Sequence, residues 1–472
     1  MMNPTGAKSN SGKLKLLVVI ASFGEKNLKL LKRMIQGYQN LPLAVDVMVV
    51  SDAPKDLGPA VKVIVGLPTS NSWSLPFAHK PVLAQNVDHY DLFAYAEDDM
   101  EVTEANIQAF LRVTPQLAPD EIAGYFRYEV DQAGAWSLPD VHGGFHWKPE
   151  SVKRRGDYTV AEFSNEHAGF YLLTQAQLKQ VIASGGFLRE PYEGRYGLPE
   201  TACTDPYTSC GFRKVICIST FKDFLIHHAS NRYVGQIGVP LSFCEEQIQT
   251  QMAIASGDHP ATTLCRTETE LLHGRWSKNF YEKPRDEVLE LVPANAKRIL
   301  SIGCGWGVTE AKLKKRGAHV TAVPLDSIIG AAAAKLGIDV VYGTLAECLR
   351  NLEGRTFDCV LMTDLLHLLP SPKQVLRQCA QFVGPGGTFV LGGPNLHSFR
   401  LLIGRALGSG DHRKLRSFDQ GGINLLGPGT AAGCLKDSGM NVVAVHWSGP
   451  GTAVQGPLRR FKAKSWLLQA RR

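Results

Sequence analysis

The sequence predicts an α/β protein of two domains, each built on a largely parallel sheet. Three observations carry this. Short apolar runs of strand length alternate with helix-period segments through both halves of the chain. In the first half such runs end in acids. In the second, Arg298-Ile-Leu-Ser-Ile-Gly-Cys-Gly-Trp-Gly-Val-Thr-Glu310 runs a buried strand into three glycines and then a helix.

The chain has 472 residues, and at about 150 residues per domain this allows two to three domains. A hydrophobic content of 44% with 20% charged residues is enough for ordinary cores. The net charge of +7 is modest. Much of it lies in Leu458 to Arg472, which reads as a solvated face with an edge strand, so no nucleic acid partner is expected. None of the 10 cysteines forms a C-x-x-C pair, which disfavours a zinc site and fits a reducing compartment. Residues 1–13 are polar and read as a flexible N-terminus without the apolar core of a signal peptide. No run approaches the roughly 20 apolar residues of a membrane span. The expectation is a cytoplasmic protein without a transmembrane segment.

The first domain is placed at 14–255. Leu14 to Ala21 is an apolar strand, and Leu28, Leu31 and Ile35 mark one helix face. Val45 to Val50 is a second strand, ending in Ser51-Asp52, and Val61 to Val65 a third. Phe77 to Val87 reads as a helix carrying His79 and Lys80. Leu92 to Ala96 is a fourth strand, ending in Glu97-Asp98-Asp99. Ligands of such sheets sit beyond the carboxyl ends of the strands, where Asp52 and the three acids fall. Three acids together repel, and a divalent cation bridging to phosphate would offset that cost.

This arrangement resembles a glycosyltransferase of the GT-A type, with Glu97 and Asp99 at the two acidic places of a D-x-D-like motif. The resemblance implies Mn2+ or Mg2+ held against a nucleotide diphosphate sugar. It implies that Asp52 meets the base, Lys80 the diphosphate, and Asp98 the substrate. A late histidine as a further metal ligand is also implied. His227 and His228 point to opposite sides of an extended chain, so at most one qualifies, and His228 is the candidate. The strand around Tyr125 to Glu129, the segment Asn165 to Thr174 and the irregular Pro191 to Gly211 would build an acceptor pocket. An inverting transferase needs a carboxylate base there, and Glu200 and Asp205 both remain open.

Residues 256–285 read as a linker, with Leu271 to Glu290 a helical approach to the second domain at 286–472. The glycine turn places Gly303, Gly305 and Gly307 where backbone N–H groups can approach a ligand. Strands follow at His319 to Val323, Ile338 to Tyr342, Cys359 to Thr363 and Thr388 to Leu391. Helices fall at Ala331 to Leu336 and Lys373 to Gln381, and Asn441 to Trp447 with Phe461 to Leu468 reads as a late hairpin. This order resembles a class I S-adenosylmethionine-dependent methyltransferase with a Rossmann-like fold. The resemblance implies S-adenosyl-L-methionine as cofactor, held around Ser301, Gly303, Gly305, Gly307, Asp326 and Thr344. The usual acids are replaced: Ser301 stands before the turn, Pro324 ends the second strand, and Thr344 follows the third. Proline supplies no side-chain acceptor to a ribose. His367, His397 and His412 are candidate bases.

Together these readings predict a bifunctional protein of glycan assembly. The first domain would transfer a sugar and the second would methylate a hydroxyl on a glycan or lipid-linked glycan acceptor. The alternatives are a glycosyltransferase with a degenerate second domain, a methyltransferase with a carbohydrate-binding first domain, and a binding scaffold. A nucleotidyltransferase is disfavoured because Ser22-Phe-Gly-Glu25 is short and not basic.

Overall fold

The computed structural model describes residues 13–408, 413–415, 417–449 and 459–472. The segment 1–12 and the candidate base His412 lie outside the described residues. The chain divides into two units. The first runs to Asp140 and adds Arg155–Tyr158 and Glu166–Gln236, while the second takes Val141–Arg154, Thr159–Asn165 and everything from Ile237.

The first unit is organised on β1 (Lys15–Ser22), which is buried over all but its first residue. Helix α1 (Leu28–Gln39) covers the sheet with Leu31, Met34, Ile35 and Tyr38, one stripe at helical spacing. Strands β2 (Ala44–Ser51) and β3 (Val61–Val65) follow. The expected helix at 77–87 is two pieces. A 3₁₀ turn, Ser72–Ala78, contains Pro76, which has no N–H to give, and α2 (His79–Gln85) then follows. Strand β4 (Leu92–Glu97) pairs parallel with β1, as does β2 on the other side. A short β5 (Met100–Glu101), β6 (Phe126–Val130) and β7 (Trp136–Leu138) come next. The main sheet is completed by β8 (Phe170–Thr174), antiparallel to β4, in the order β8-β4-β1-β2-β3. After helix α3 (Leu198–Thr208), β9 (Leu225–His228) pairs parallel with β6 and antiparallel with β5. That register sets His228 opposite Met100, beside the acids that end β4.

The second unit contains helix α4 (Leu241–Ser256) and then β10 (Arg298–Cys304), α5 (Val308–Lys315), β11 (His319–Pro324), α6 (Ser327–Lys335) and β12 (Asp339–Val340). It continues with α7 (Leu345–Asn351), β13 (Phe357–Thr363), α8 (Pro372–Ala380), β14 (Val383–Pro394) and α9 (Phe399–Leu407). Helix α10 (Pro428–Asp437), β15 (Asn441–Ser448) and β16 (Ser465–Arg471) close the chain. The sheet order is β12-β11-β10-β13-β14-β16-β15. Strands β10 to β14 are parallel, and β16 slots antiparallel against β14 with β15 outside it. Leu300, Ile302, Val360, Met362, Phe389 and Leu391 alternate into one face of the core.

The helical approach expected at 271–290 is not a helix. It holds only a 3₁₀ turn, Leu272–Gly274, and one short α turn, Asp286–Leu289, joined by extended chain. Trp276 takes a left-handed φ of 65° and Pro284 follows, so no continuous helix can form. This segment becomes a strap across the second unit. Among the described residues no helix is long and apolar enough to cross a membrane. All 10 cysteines are free.

Candidate functional site

In the first unit a cavity of about 380 Å³ opens at the carboxyl end of β4. It is lined by Glu97, Asp98 and Asp99 together with Arg127, His167, His228, Glu200, Arg232, Tyr233 and Trp73. Asp98 accepts hydrogen bonds from Ser22 Oγ and Asn27 Nδ2, both at 2.7 Å. Burial pushes its carboxyl up to about 6, with Asp99 and Glu97 adding to the rise against those hydrogen bonds. Asp99 and Glu97 move the other way. Burial alone would raise both, but His228, 3.1 Å from Asp99, and His167, 3.5 Å from Glu97, hold them below the usual range. His228 Nδ1 contacts Glu129 at 2.6 Å, and Glu129 also accepts the Tyr233 N–H. Burial lowers the His228 pKa, but Asp99 and Glu129 outweigh it and the net shift is upward. Arg127 is held by Asp140, with Nε and a terminal nitrogen each 2.7 Å from one carboxylate oxygen.

The residues expected as a metal set, Glu97, Asp99 and His228, do not converge as one in this geometry. Asp99 lies against His228 and Glu97 against His167, so each of the two acids has its own histidine neighbour. Among the described residues no group of three His, Cys, Asp or Glu side chains converges as a metal site. The donors as placed do not fit a divalent cation.

Lys80 and Asp205 do not reach the cavity. Both are buried and form an ion pair with each other. Asp205 also accepts from Tyr192 Oη at 2.6 Å and Ser209 Oγ at 3.0 Å. An ammonium engaged in this way is not offered to a diphosphate, nor this carboxylate to an acceptor hydroxyl. Glu200, in the first turn of α3, does line the cavity. Asp52 stands at the end of β2, accepting the Gly24 N–H at 2.9 Å, and is not in the lining. Arg127, Glu129 and Arg232 were not singled out from the sequence. The signal was the alternation Phe126-Arg-Tyr-Glu-Val130, which puts Arg127 and Glu129 on one face of a strand.

In the second unit the glycine turn ends β10, with Gly303 and Gly307 at φ of 79° and 85°. The space above the turn is filled by the chain itself. A Cβ at Gly305 would stand 2.3 Å from the Phe280 carbonyl oxygen, and one at Gly303 would stand 2.8 Å from Leu365 Cδ2. The Phe280 oxygen accepts the Trp306 N–H at 3.0 Å. Phe280 in turn donates its N–H to Gly143 at 2.8 Å, and its ring stacks on His146 with centroids 4.3 Å apart. Lys278 is buried and donates to the Thr363 carbonyl at 3.0 Å.

The candidate cofactor side chains are engaged locally. Ser301 Oγ donates to Glu310 at 2.6 Å. Asp326 caps α6 by accepting the Ile329 N–H at 2.7 Å, beneath a bridge from Thr263, and burial pushes its carboxyl up to about 7. Thr344 caps α7 in a reciprocal box with Glu347. It lines a cavity of about 750 Å³ between α7 and α8 that contains none of the three glycines. Asp364, at the end of β13, takes a left-handed φ of 51° and pairs with Arg285 at 2.6 Å. His367 is buried, with Nε2 on the Trp276 carbonyl at 2.8 Å and Nδ1 without a hydrogen-bond partner among the described residues. The turn and the strand order fit S-adenosylmethionine, while the volume directly above Gly305 does not while Phe280 occupies it.

Residues 275–445 match the family model described as a methyltransferase domain. The ubiquinone biosynthesis O-methyltransferase of Ralstonia nicotianae is 31% identical over 132 residues, 25% of this chain and 56% of that protein. The protein of the same description from Aromatoleum aromaticum is 32% identical over 133 residues, again 25% and 56%. The chain thus spans about half the length of the curated relatives it matches. A crystal structure of an S-adenosylmethionine dependent methyltransferase from Mesorhizobium loti covers 40% of this chain and 96% of its own, at 22% identity and a TM-score of 0.31. One from Archaeoglobus fulgidus covers 40% and 90%, at 17% identity and a TM-score of 0.31. The likeness to methyltransferases lies in residues 275–445.

Proposed function

We propose that the chain is a transferase of glycan assembly, with a methyltransferase second unit and a nucleotide-sugar glycosyltransferase first unit. For the second unit, the match over 275–445 and relatives described as O-methyltransferases support S-adenosylmethionine as methyl donor and a hydroxyl as acceptor. The acceptor we infer is a glycan or lipid-linked glycan hydroxyl. Methyl transfer asks for an aligned donor and acceptor more than for acid–base groups.

For the first unit, the observation that carries the reading is the meeting of Asp98, Asp99 and Glu97 with Arg127 and Arg232 in one cavity beyond the carboxyl end of a parallel sheet. Arg127, fixed by Asp140, would face an anionic leaving group. Glu200, the candidate base that lines the cavity, would take the acceptor proton. The experiment is a hydrolysis panel of nucleotide diphosphate sugars with and without chelator. Turnover of one sugar, slowed at least about tenfold in Glu200→Gln, supports the assignment. No turnover of any sugar with any divalent ion removes it.

A second reading is favoured by Phe280 over Gly305 and by Pro324 at the ribose position: a glycosyltransferase whose second unit no longer takes up its cofactor. Calorimetry with S-adenosylmethionine on the full chain separates the two, since heat at millimolar ligand retires the second reading.

A further inference from the structure

We propose that helix α9 docks the second unit onto an anionic membrane surface, lying in its plane. The helix is apolar on two sides. Leu401 and Gly404 are buried, Leu401 in a small cluster with Leu271, Leu396, Leu415 and Ile423. On the opposite side Phe399 is 64% exposed, Leu402 38%, Ile403 42% and Leu407 75%. At 100° per residue these four side chains occupy an arc of roughly 140° turned away from the core. Arg400 and Arg405 stand on either margin of that arc, one exposed and one half-buried. A contiguous apolar stripe edged by arginines is the pattern of a helix that lies in a headgroup layer. The stripe enters the acyl boundary while the guanidinium groups reach phosphate from stems lying along it.

The occupant follows from charge. The helix carries Arg400 and Arg405 and no acid, and of the charged residues that follow it Arg413 and Lys414 outnumber Asp411, so the patch complements an anionic surface. A second copy of this chain would bring cations onto cations. Nine residues rise only about 14 Å, well short of the roughly 30 Å of a hydrocarbon core, so the helix lies on the bilayer and does not cross it. Helix α9 also follows directly from the carboxyl end of β14, the end of the sheet at which the glycine turn lies. A docked helix would therefore bring that end toward acceptors carried on lipid.

The test is vesicle flotation of the full chain with phosphatidylcholine–phosphatidylglycerol vesicles and with phosphatidylcholine alone. The expected result is flotation with the mixed vesicles, weakening as salt is added, and little with the neutral ones. The triple variant Leu402→Ser, Ile403→Ser, Leu407→Ser replaces exposed side chains, and partitioning falls about a hundredfold. Arg400→Glu with Arg405→Glu, which leaves the stripe intact, loses the preference for anionic lipid. The proposal is overturned if the wild-type chain stays soluble with both vesicles, if it floats equally with the neutral ones, or if the triple variant floats as the wild type does. It is equally overturned if the stripe proves to hold a dimer that the triple variant dissociates while no vesicle is bound.

Discussion

Asp205→Ala tests whether the deepest ion pair of the first unit is structural or chemical. The Lys80 side chain is 1% exposed and that of Asp205 is fully buried. The Lys80 ammonium also lies over the Phe77 ring, 4.1 Å from its centroid, and among the described residues Asp205 is the carboxylate that pairs with it. Burial lowers the Lys80 pKa even with Asp205 beside it. Removing the carboxylate leaves a buried ammonium without its counter-charge and takes from Tyr192 and Ser209 the acceptor they share, leaving the two hydroxyls bonded to each other. Breaking one side of such a pair costs about 3–5 kcal/mol, a large part of the roughly 5–15 kcal/mol that holds a domain together. Replacing both partners by apolar residues, Lys80→Met with Asp205→Leu, should return most of that loss, because neither charge then has to be desolvated. The assay is urea unfolding of the full chain followed by near-ultraviolet circular dichroism, comparing wild type, single and double variants. A loss below about 1 kcal/mol in Asp205→Ala would refute the reasoning. So would a double variant as unstable as the single one.

Three further outcomes are expected. Asp326, raised by burial to about 7 from an ordinary 3.8, favours the folded state most when protonated. Its contribution is complete below about pH 4 and is lost as pH rises through 7, so Asp326→Asn, which keeps the cap on Ile329, should raise the melting temperature at pH 8 more than at pH 5, an effect of a few kcal/mol at most. Lys278→Ala removes the bond from the strap to the Thr363 carbonyl, and S-adenosylmethionine affinity measured by calorimetry should rise about tenfold. An unchanged dissociation constant would mean that the strap does not guard the glycine turn. Arg127→Met takes from the buried Asp140 the guanidinium that pairs with it, so it should lower both nucleotide binding and stability, as read from ligand titration and a thermal melt.

Much of the framework was legible in the sequence because apolar runs of strand length leave little choice of partner. Leu16 to Ala21 could only be a central strand, and the turn at Gly303 to Gly307 could only end one. The late hairpin was also legible, although its second strand begins at Ser465, past the short helix Arg459–Lys462. What was hidden depends on the fold closing on itself. Trp276, Phe280 and Tyr281 carry a helix-like spacing, yet the same apolar side chains can be buried by an extended chain lying on a sheet. Lys80 looked available because a lone lysine on a helix usually faces water, and only the third dimension brings Asp205 to it. The same holds for Asp99 and His228. Their residue types suggested shared ligands, while the register of β9 on β5 makes them partners of each other.

The order in which the chain visits its two units has a practical consequence for anyone who wishes to take the protein apart. The chain changes unit after Asp140, Arg154, Tyr158, Asn165 and Gln236. No single scissile point separates it into two complete pieces. A fragment starting in the segment 256–285 would lack Gly143, which receives the Phe280 N–H, and His146, on which the Phe280 ring lies. Such a fragment would carry every residue of the glycine turn and yet begin with its strap unbraced. Cofactor uptake by that fragment would report on a different molecule from the undivided chain, so binding experiments belong on the chain with both units.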